Sequence, residues 1–162
     1  MELCDIVDES GNRTGGVAPR GSALSLGEFF PVVHVWIRDE FGNYLIQQRA
    51  FDRLSDPGVW AITAGYILAG EDSLSGAIRE VEEELGIQLS PSHLKRFDRH
   101  ALENRLEDIW LADIPRSSMG TPTSGPEVAD WKWVSKVELE QMAGRNDFFR
   151  YSYFDDILSV ME

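Results

Sequence analysis

The 162-residue sequence predicts an α+β architecture, a mixed β-sheet with helices packed against it as one layer sandwich. Three observations carry that class. Short β-branched and aromatic runs recur along the chain, turn-forming residues separate them, and two segments open with a helix cap followed by apolar residues at helical spacing. Residues 2–8 come first, with Leu3, Ile6 and Val7, and predict an edge strand that ends in the turn Asp8-Glu9-Ser10-Gly11-Asn12. Residues 9–28 are polar and glycine-rich and predict a loop, with room for a short strand at 16–19. Phe30–Arg38 and residues 44–48 flank the turn 39–43 and predict a hairpin over 30–48. Pro57-Gly58 breaks the chain before a second short pair, 59–63 and 66–68, with Ala64-Gly65 between the two strands.

A helix over 72–86 follows. Asp72 or Ser73 can cap its start, Glu71 lies near the favourable end of its dipole, and Gly86 suits its stop. Leu74, Ile78, Val81 and Leu85 recur on one stripe that faces a core. Gly76 inside that helix costs roughly 1 kcal/mol against alanine, which points to close packing there. Residues 95–101 and 108–114 predict further strands, 115–126 is a Ser/Thr/Gly/Pro loop, and 128–134 predicts a strand with Trp131 and Trp133 on one face and Lys132 on the other. Ser135 caps a helix through 143, and a last helix runs over 151–161. The chain length fits one domain over 1–162, with an N-terminal strand and loop at 1–28 and a core at 29–162.

Fifteen Lys and Arg against 28 Asp and Glu give a formal charge of −13 and a pI near 4.6. That balance argues against nucleic-acid polymers and anionic membrane surfaces, which need clustered positive charge. The single cysteine, Cys4, cannot form an intrachain disulfide, which fits a reducing compartment, and its strand context predicts a buried side chain. The acidic start lacks the basic region of a signal peptide, and the longest apolar stretch, 31–37, is too short to span a bilayer. The expectation is a soluble, cytoplasmic protein acting on a small molecule, with a homodimer left open.

The helix places Glu80, Glu83 and Glu84 at i, i+3 and i+4, on one face and with Cβ atoms about 5–6 Å apart. Like charges at that spacing are mildly destabilising, so either solvent screens them or a cation sits among them. Three successive glutamates, Glu82 to Glu84, taken alone are most often a solvated face. The surrounding register changes that: Gly65, five residues, Glu71, seven residues, then Arg79-Glu80-Val81-Glu82-Glu83-Glu84-Leu85-Gly86-Ile87. The fixed identities and apolar positions would arise by chance in about one chain in ten million of this length.

This segment, 65–87, resembles the Nudix box of the Nudix hydrolases at every defining position. Asp5-Ile6-Val7-Asp8-Glu9, residues 44–49, Pro57-Gly58-Val59-Trp60, Ala69-Gly70-Glu71 and Glu127-Val128 leading into Trp133-Val134-Ser135 also resemble the subgroup related to isopentenyl diphosphate isomerases. The resemblance implies a Nudix fold, an α/β/α sandwich around a mixed sheet, and Mg²⁺-dependent (sometimes Mn²⁺-dependent) cleavage of a diphosphate bond in a nucleoside diphosphate-linked or related small organic diphosphate. Residue by residue, it implies Glu80 and Glu84 as metal ligands, Glu83 as a ligand or water-activating base, and the Gly65 carbonyl as a backbone ligand. It further implies that Arg79 orients Glu83 and that Glu71 supports the junction between loop and helix.

A general base outside the helix is open among Glu103, Glu107, Asp108 and Glu127, with Glu127 preferred; each is equally readable as a surface acid. Arg49 and Arg53 either reach substrate phosphate or pair with one of the acids. Phe51, Trp60 and Tyr66 either stack on substrate, Tyr66 being the preferred contact, or belong to a core. His34, His93 and His100 show no ligand spacing and are expected to be structural or surface residues. The isomerases carry a catalytic cysteine near the positions of Thr63 and Ala64 and metal-binding histidines near Phe30 and Tyr66, and none of these is Cys or His here. An isomerase-like enzyme and a non-catalytic nucleotide-binding module are therefore the alternatives to a hydrolase.

Overall fold

The computed structural model describes residues 2–161. Its elements begin with β1 (Leu3–Val7), β2 (Arg13–Pro19), β3 (Phe30–Arg38), β4 (Tyr44–Arg49), β5 (Trp60–Ala61) and β6 (Thr63–Tyr66). The helix α1 (Ser73–Leu85) follows, then β7 (Leu94–Leu102), β8 (Arg105–Asp113), α2 (Arg116–Met119), β9 (Val128–Val134), α3 (Lys136–Gly144) and α4 (Phe154–Val160).

β3 is the hub of a seven-stranded mixed sheet. It runs parallel to β8 along its whole length, from Phe30 opposite Arg105 to Arg38 opposite Asp113, and antiparallel to β6 from Val32 opposite Tyr66 to Val35 opposite Thr63. Its run Phe-Pro-Val-Val-His-Val-Trp-Ile is buried on both faces, the pattern a strand covered on both sides requires. The hairpin expected over 30–48 is therefore short: β3 meets β4 at Ile37–Leu45 and Arg38–Tyr44, after which β4 leaves to pair with β9 and β5. The β5–β6 segment enters the space between the diverging strands.

Alternate residues of β3 serve two layers. Val33, Val35 and Ile37 pack with Ala77, Val81 and Leu85 of α1. Trp36, with Ile46 and Ile109, packs with Leu139 and Met142 of α3 and with Ile157 and Leu158 of α4. Helices thus cover both faces, the α/β/α sandwich that was expected. Gly76 is as tightly packed as its placement implied, since a Cβ there would lie 3.1 Å from Glu71 Oε1 and 3.3 Å from Ile67 Cγ1.

Four expectations need correction. Strand β2 occupies 13–19 rather than 16–19, because β1 supplies the antiparallel partner that its own weak pattern does not advertise. Ala64-Gly65 lies inside β6 rather than between two strands, held there by pairing with His34 and Val33. β8 starts at Arg105 instead of 108, directly after the turn in which Glu103 takes φ +57°. The last helix begins at Phe154, since Tyr151 and Tyr153 are committed to ring and hydroxyl contacts with β3 and β5–β6 neighbours: Tyr151 Oη accepts from the Ile62 N–H and Tyr153 Oη from Trp36 Nε1–H. Loop 115–126 also contains the single turn of α2. Among the described residues no helix is long and apolar enough to cross a membrane.

Candidate active site

α1 is set in register by both of its ends. Asp72 accepts from the Ser75 N–H at 2.7 Å, and Gly86, in the left-handed region at φ +66°, donates its N–H to the Glu82 carbonyl. Between these stops Glu80 and Glu84 turn inward, 8% and 7% exposed, while the Glu83 side chain stays 57% exposed. The Glu80 carboxyl lies against the backbone of Gly65 so closely that a Cβ at Gly65 would overlap it. Glu84 Oε1 accepts from Gln47 Nε2 at 3.1 Å and from the Ala64 N–H at 3.2 Å, and Thr63 Oγ1–H fixes Gln47 by donating to its Oε1 at 3.0 Å. The diverging β4 and the inserted β6 thus grip one helix carboxylate.

Arg79 does more than orient Glu83. Its Nε and Nη2 donate to both oxygens of Glu71 at 2.8 and 2.9 Å, its Nη1 to Glu80 at 2.9 Å and Glu83 at 3.1 Å, and its Nη2 also to the Tyr66 carbonyl at 2.9 Å. Burial would raise the Glu71 carboxyl, but the Arg79 fork and the Leu68 N–H outweigh it and hold the group below the usual range. Glu80 goes the other way: burial pushes it up to about 7 despite the pull of Arg79. Glu84 rises to about 8, first from burial and then from the neighbouring Glu80 charge, because its own donors are neutral.

Two buried carboxylates side by side, one of them served by neutral donors alone, are the surroundings that a divalent cation would complete. Among the described residues no three carboxylate, imidazole or thiol groups converge as a ready-made cage, and Glu83 is turned toward Arg79. The donor set therefore suits an ion such as Mg²⁺, which takes one or two protein carboxylates and fills its shell with water and substrate phosphate.

These groups border a cavity of about 900 Å³. Arg49 and Arg53 line it as expected, but both are engaged: Arg49 donates to the Ser55 carbonyl and hydroxyl at 3.1 Å each, and Arg53 pairs with Glu127 at 2.7 Å. Tyr66 lines the cavity with its ring edge-on to Phe30 and the Arg20 guanidinium 5.3 Å from its centroid. Phe51 is exposed in its loop, and Trp60 lies under the Lys132 ammonium, so neither joins the lining.

Of the outlying acids, Asp108 is bound on both oxygens by Arg99 at 2.6 and 3.0 Å, and Glu103 sits exposed in a turn. Glu107 is buried in the cavity wall, where His100 Nε2 lies 2.9 Å from its Oε1 and His34 Nε2 3.6 Å from its Oε2. β3, β8 and β7 are neighbours, so His34 and His100, which the sequence read only as structural or surface residues, meet at one carboxylate. The usable signal was the strand order, which one chain does not announce. His93 remains local, accepting the Ser90 N–H at 3.1 Å. Cys4 is buried in β1 as expected, and burial raises its thiol to about 11.

His34 is held neutral. Burial first, then the charges of Arg105 and His100, lower it to about 3. Glu107, Arg105, His100, Tyr151 and Tyr153 are the titratable and charged groups around it. Tyr153 Oη accepts from Trp36 Nε1–H at 3.1 Å and is hydrogen-bonded with His34 Nδ1 at 2.6 Å, so that the other ring nitrogen, Nε2, faces Glu107. The unfolded chain takes up a proton here near 6.5, the folded chain near 3, so stability is lost as pH falls through that window. Urea titrations of the wild type and His34→Gln between about pH 7 and about pH 4.5 should show the wild type losing about 2 kcal/mol more than the variant. Parallel losses would remove His34 from the acid limb.

Comparison with known proteins extends these observations. The NUDIX domain family model matches residues 28–156. An uncharacterised Nudix hydrolase of Listeria monocytogenes is 34% identical over 161 residues, covering 99% of this chain and 95% of that one. An isopentenyl-diphosphate Delta-isomerase of Streptomyces avermitilis is 37% identical over 166 residues, covering 98% of this chain and 82% of its own. The crystal structure of a Deinococcus radiodurans protein superposes with a TM-score of 0.73 at 19% identity, covering 99% of this chain and 97% of the other, a likeness of fold. A family match across most of the chain, with relatives alike nearly end to end, makes this protein a member of the Nudix hydrolase family.

Proposed function

We propose that the protein hydrolyses a diphosphate bond in a nucleoside diphosphate-linked or related small organic diphosphate, with Mg²⁺ or Mn²⁺ as cofactor. The observation that carries this reading is the pair of buried carboxylates, Glu80 and Glu84, beside Gly65 at the wall of a cavity large enough for such a substrate. Glu80, Glu84 and the Gly65 carbonyl would hold the metal, with Glu83 as a further ligand or as the base. A bound divalent cation supplies neutralisation of phosphate charge and acidifies a water molecule.

The chain's own residues do the rest. Glu83 takes the proton of the attacking water as its oxygen bonds to phosphorus and the bridging P–O bond breaks, and Arg79 keeps that carboxylate beside the reacting atoms. Glu127 is the weaker candidate base because it lies outside the helix face that carries Glu80 and Glu84, in an ion pair with Arg53 at 2.7 Å. Arg49, whose partners are neutral, lends positive charge to a cavity in a protein of net charge −13, and Arg53 would do so for a phosphate that takes the place of Glu127. Glu71 anchors Arg79, and Tyr66 offers a ring face to the substituent.

Release of phosphate or nucleotide from a panel of dinucleotides, nucleotide sugars, nucleoside triphosphates and prenyl diphosphates, with Mg²⁺ or Mn²⁺, tests the proposal. Turnover of one class supports it; binding of metal and ligand with no turnover of any class favours the nucleotide-binding module instead. Isomerisation is disfavoured on a specific ground. Thr63 is tied to Gln47, Ala64 has no reactive side chain, and the chain's single thiol, Cys4, is buried in β1. Incubation with isopentenyl diphosphate should give no dimethylallyl diphosphate above a Glu84→Gln control. Clear excess product would reverse this assignment.

A further inference from the structure

Glu107 is a buried carboxylate of the cavity wall that diphosphate cleavage does not require. The sheet register aligns Tyr66, Val32, Glu107 and His100 in one row across β6, β3, β8 and β7, so Glu107 and Tyr66 flank Val32 on the same cavity wall, and Glu107 is not on the helix that carries the box. Its side chain is 5% exposed, yet its two oxygens are unequally served. Oε1 accepts from His100 Nε2 at 2.9 Å. Oε2 has His34 Nε2 at 3.6 Å and Arg105 Nε at 3.5 Å, and that Arg105 Nε is a buried donor without a hydrogen-bond partner among the described residues.

A carboxylate offers about four lone-pair sites, and a buried one left short of donors is costly. The shortfall is held in place. Trp36 fixes Tyr153, Tyr153 fixes the neutral His34, and His34 Nε2 faces Oε2 at 3.6 Å. This polar chain keeps the carboxylate oriented rather than letting it swing to a better partner.

We propose that Glu107, positioned by His34 and His100, is a specificity residue that accepts a hydrogen bond from a hydroxyl or amino group on the organic substituent of the diphosphate, and so disfavours an apolar substituent such as a prenyl chain. The inference rests on the diphosphate reading above. An apolar chain against Glu107 would desolvate the carboxylate and offer no donor in return, and sites built for a hydrogen bond reject analogues that lack it far more strongly than apolar pockets reject extra groups.

Calorimetric titration with uncleavable probes in the presence of Mg²⁺ tests this without relying on turnover. Adenosine α,β-methylene diphosphate should bind the wild type at least ~30-fold more tightly than a decyl methylene bisphosphonate, and Glu107→Leu should shrink or reverse that ratio. The 2′-deoxy, 3′-deoxy and 6-deamino forms of the nucleotide probe distinguish sugar from base as the donor: loss of one group should weaken wild-type binding by at least ~10-fold and leave Glu107→Leu binding unchanged. Should Glu107→Leu fail to fold, the isosteric Glu107→Gln must show a preference reduced by at least ~3-fold, because it gives up the charge that strengthens the bond. Equal or tighter binding of the alkyl probe by the wild type, or an unaltered preference in the folded variants, overturns the assignment. Hydrolysis without the preference refutes this inference alone. The preference without hydrolysis of any panel substrate supports Glu107 and removes the hydrolase reading.

Discussion

Glu84→Gln is expected to lower turnover by at least ~10²–10³-fold, the scale on which loss of one preorganised charge is felt, while the metal-free protein stays as stable as the wild type or gains slightly. Glutamine keeps the side-chain shape and an oxygen that can still accept from Gln47 and the Ala64 N–H. What it removes is a negative charge that burial and Glu80 already disfavour, since they raise the Glu84 carboxyl to about 8. Relief of the i,i+4 repulsion with Glu80 contributes at most about 0.2–0.5 kcal/mol in the metal-free state, since burial moves both carboxyls toward their neutral forms. The gain in native-state stability that Mg²⁺ gives the wild type should shrink or vanish in the variant, because it scales with the affinity lost. Thermal melts with and without Mg²⁺, paired with turnover on any panel substrate, decide the matter. A variant that is destabilised without metal yet turns over at near-normal rate would mean that Glu84 is structural.

The parts of this site that were legible beforehand are those whose causes are local. The caps at Asp72 and Gly86, the Val81 and Leu85 stripe and the placing of Glu80, Glu83 and Glu84 follow from helix geometry within fifteen residues or so. Strand β9 and the Ser135 cap were equally readable, and the structure has them at Val128–Val134 and with Glu138 closing the capping box. Partner choice between strands was not. Nothing in residues 30–48 says that β3 parts from β4 after two residue pairs, because the competing partners, β6 and β8, lie tens of residues away. The same non-local pairing hid the His34–Glu107–His100 group and the meeting of Arg53 with Glu127, two candidates that were weighed separately and neutralise each other. Arg79 was legible as an i,i+4 partner of Glu83; its stronger bonds, to Glu71, depend on how the loop after β6 turns back onto the helix.

That loop-to-helix joint makes Arg79→Lys the opposite kind of experiment, with stability and activity falling together. The guanidinium serves four acceptor groups at once, the Glu71, Glu80 and Glu83 carboxylates and the Tyr66 carbonyl, and its side chain is 20% exposed. An ammonium is a compact charge with three donors and cannot span the two oxygens of Glu71 in a fork. Glu71, 16% exposed, then loses the fork that holds its carboxyl low, and Glu80, already raised to about 7 by burial, loses the Nη1 donor that reaches it. Removing one partner of a buried pair costs about 3–5 kcal/mol; with a charge retained and some solvent access, about 2–3 kcal/mol is the expected loss here. Turnover should fall by at least ~10-fold as Glu80 and Glu83 drift from their shared face. A double-mutant cycle with Glu71→Gln isolates the joint and should return a coupling of about 1 kcal/mol or more by urea unfolding. Wild-type stability and turnover in Arg79→Lys would show that the fork contributes charge alone, and the loop between Gly65 and Glu71 would then need another anchor.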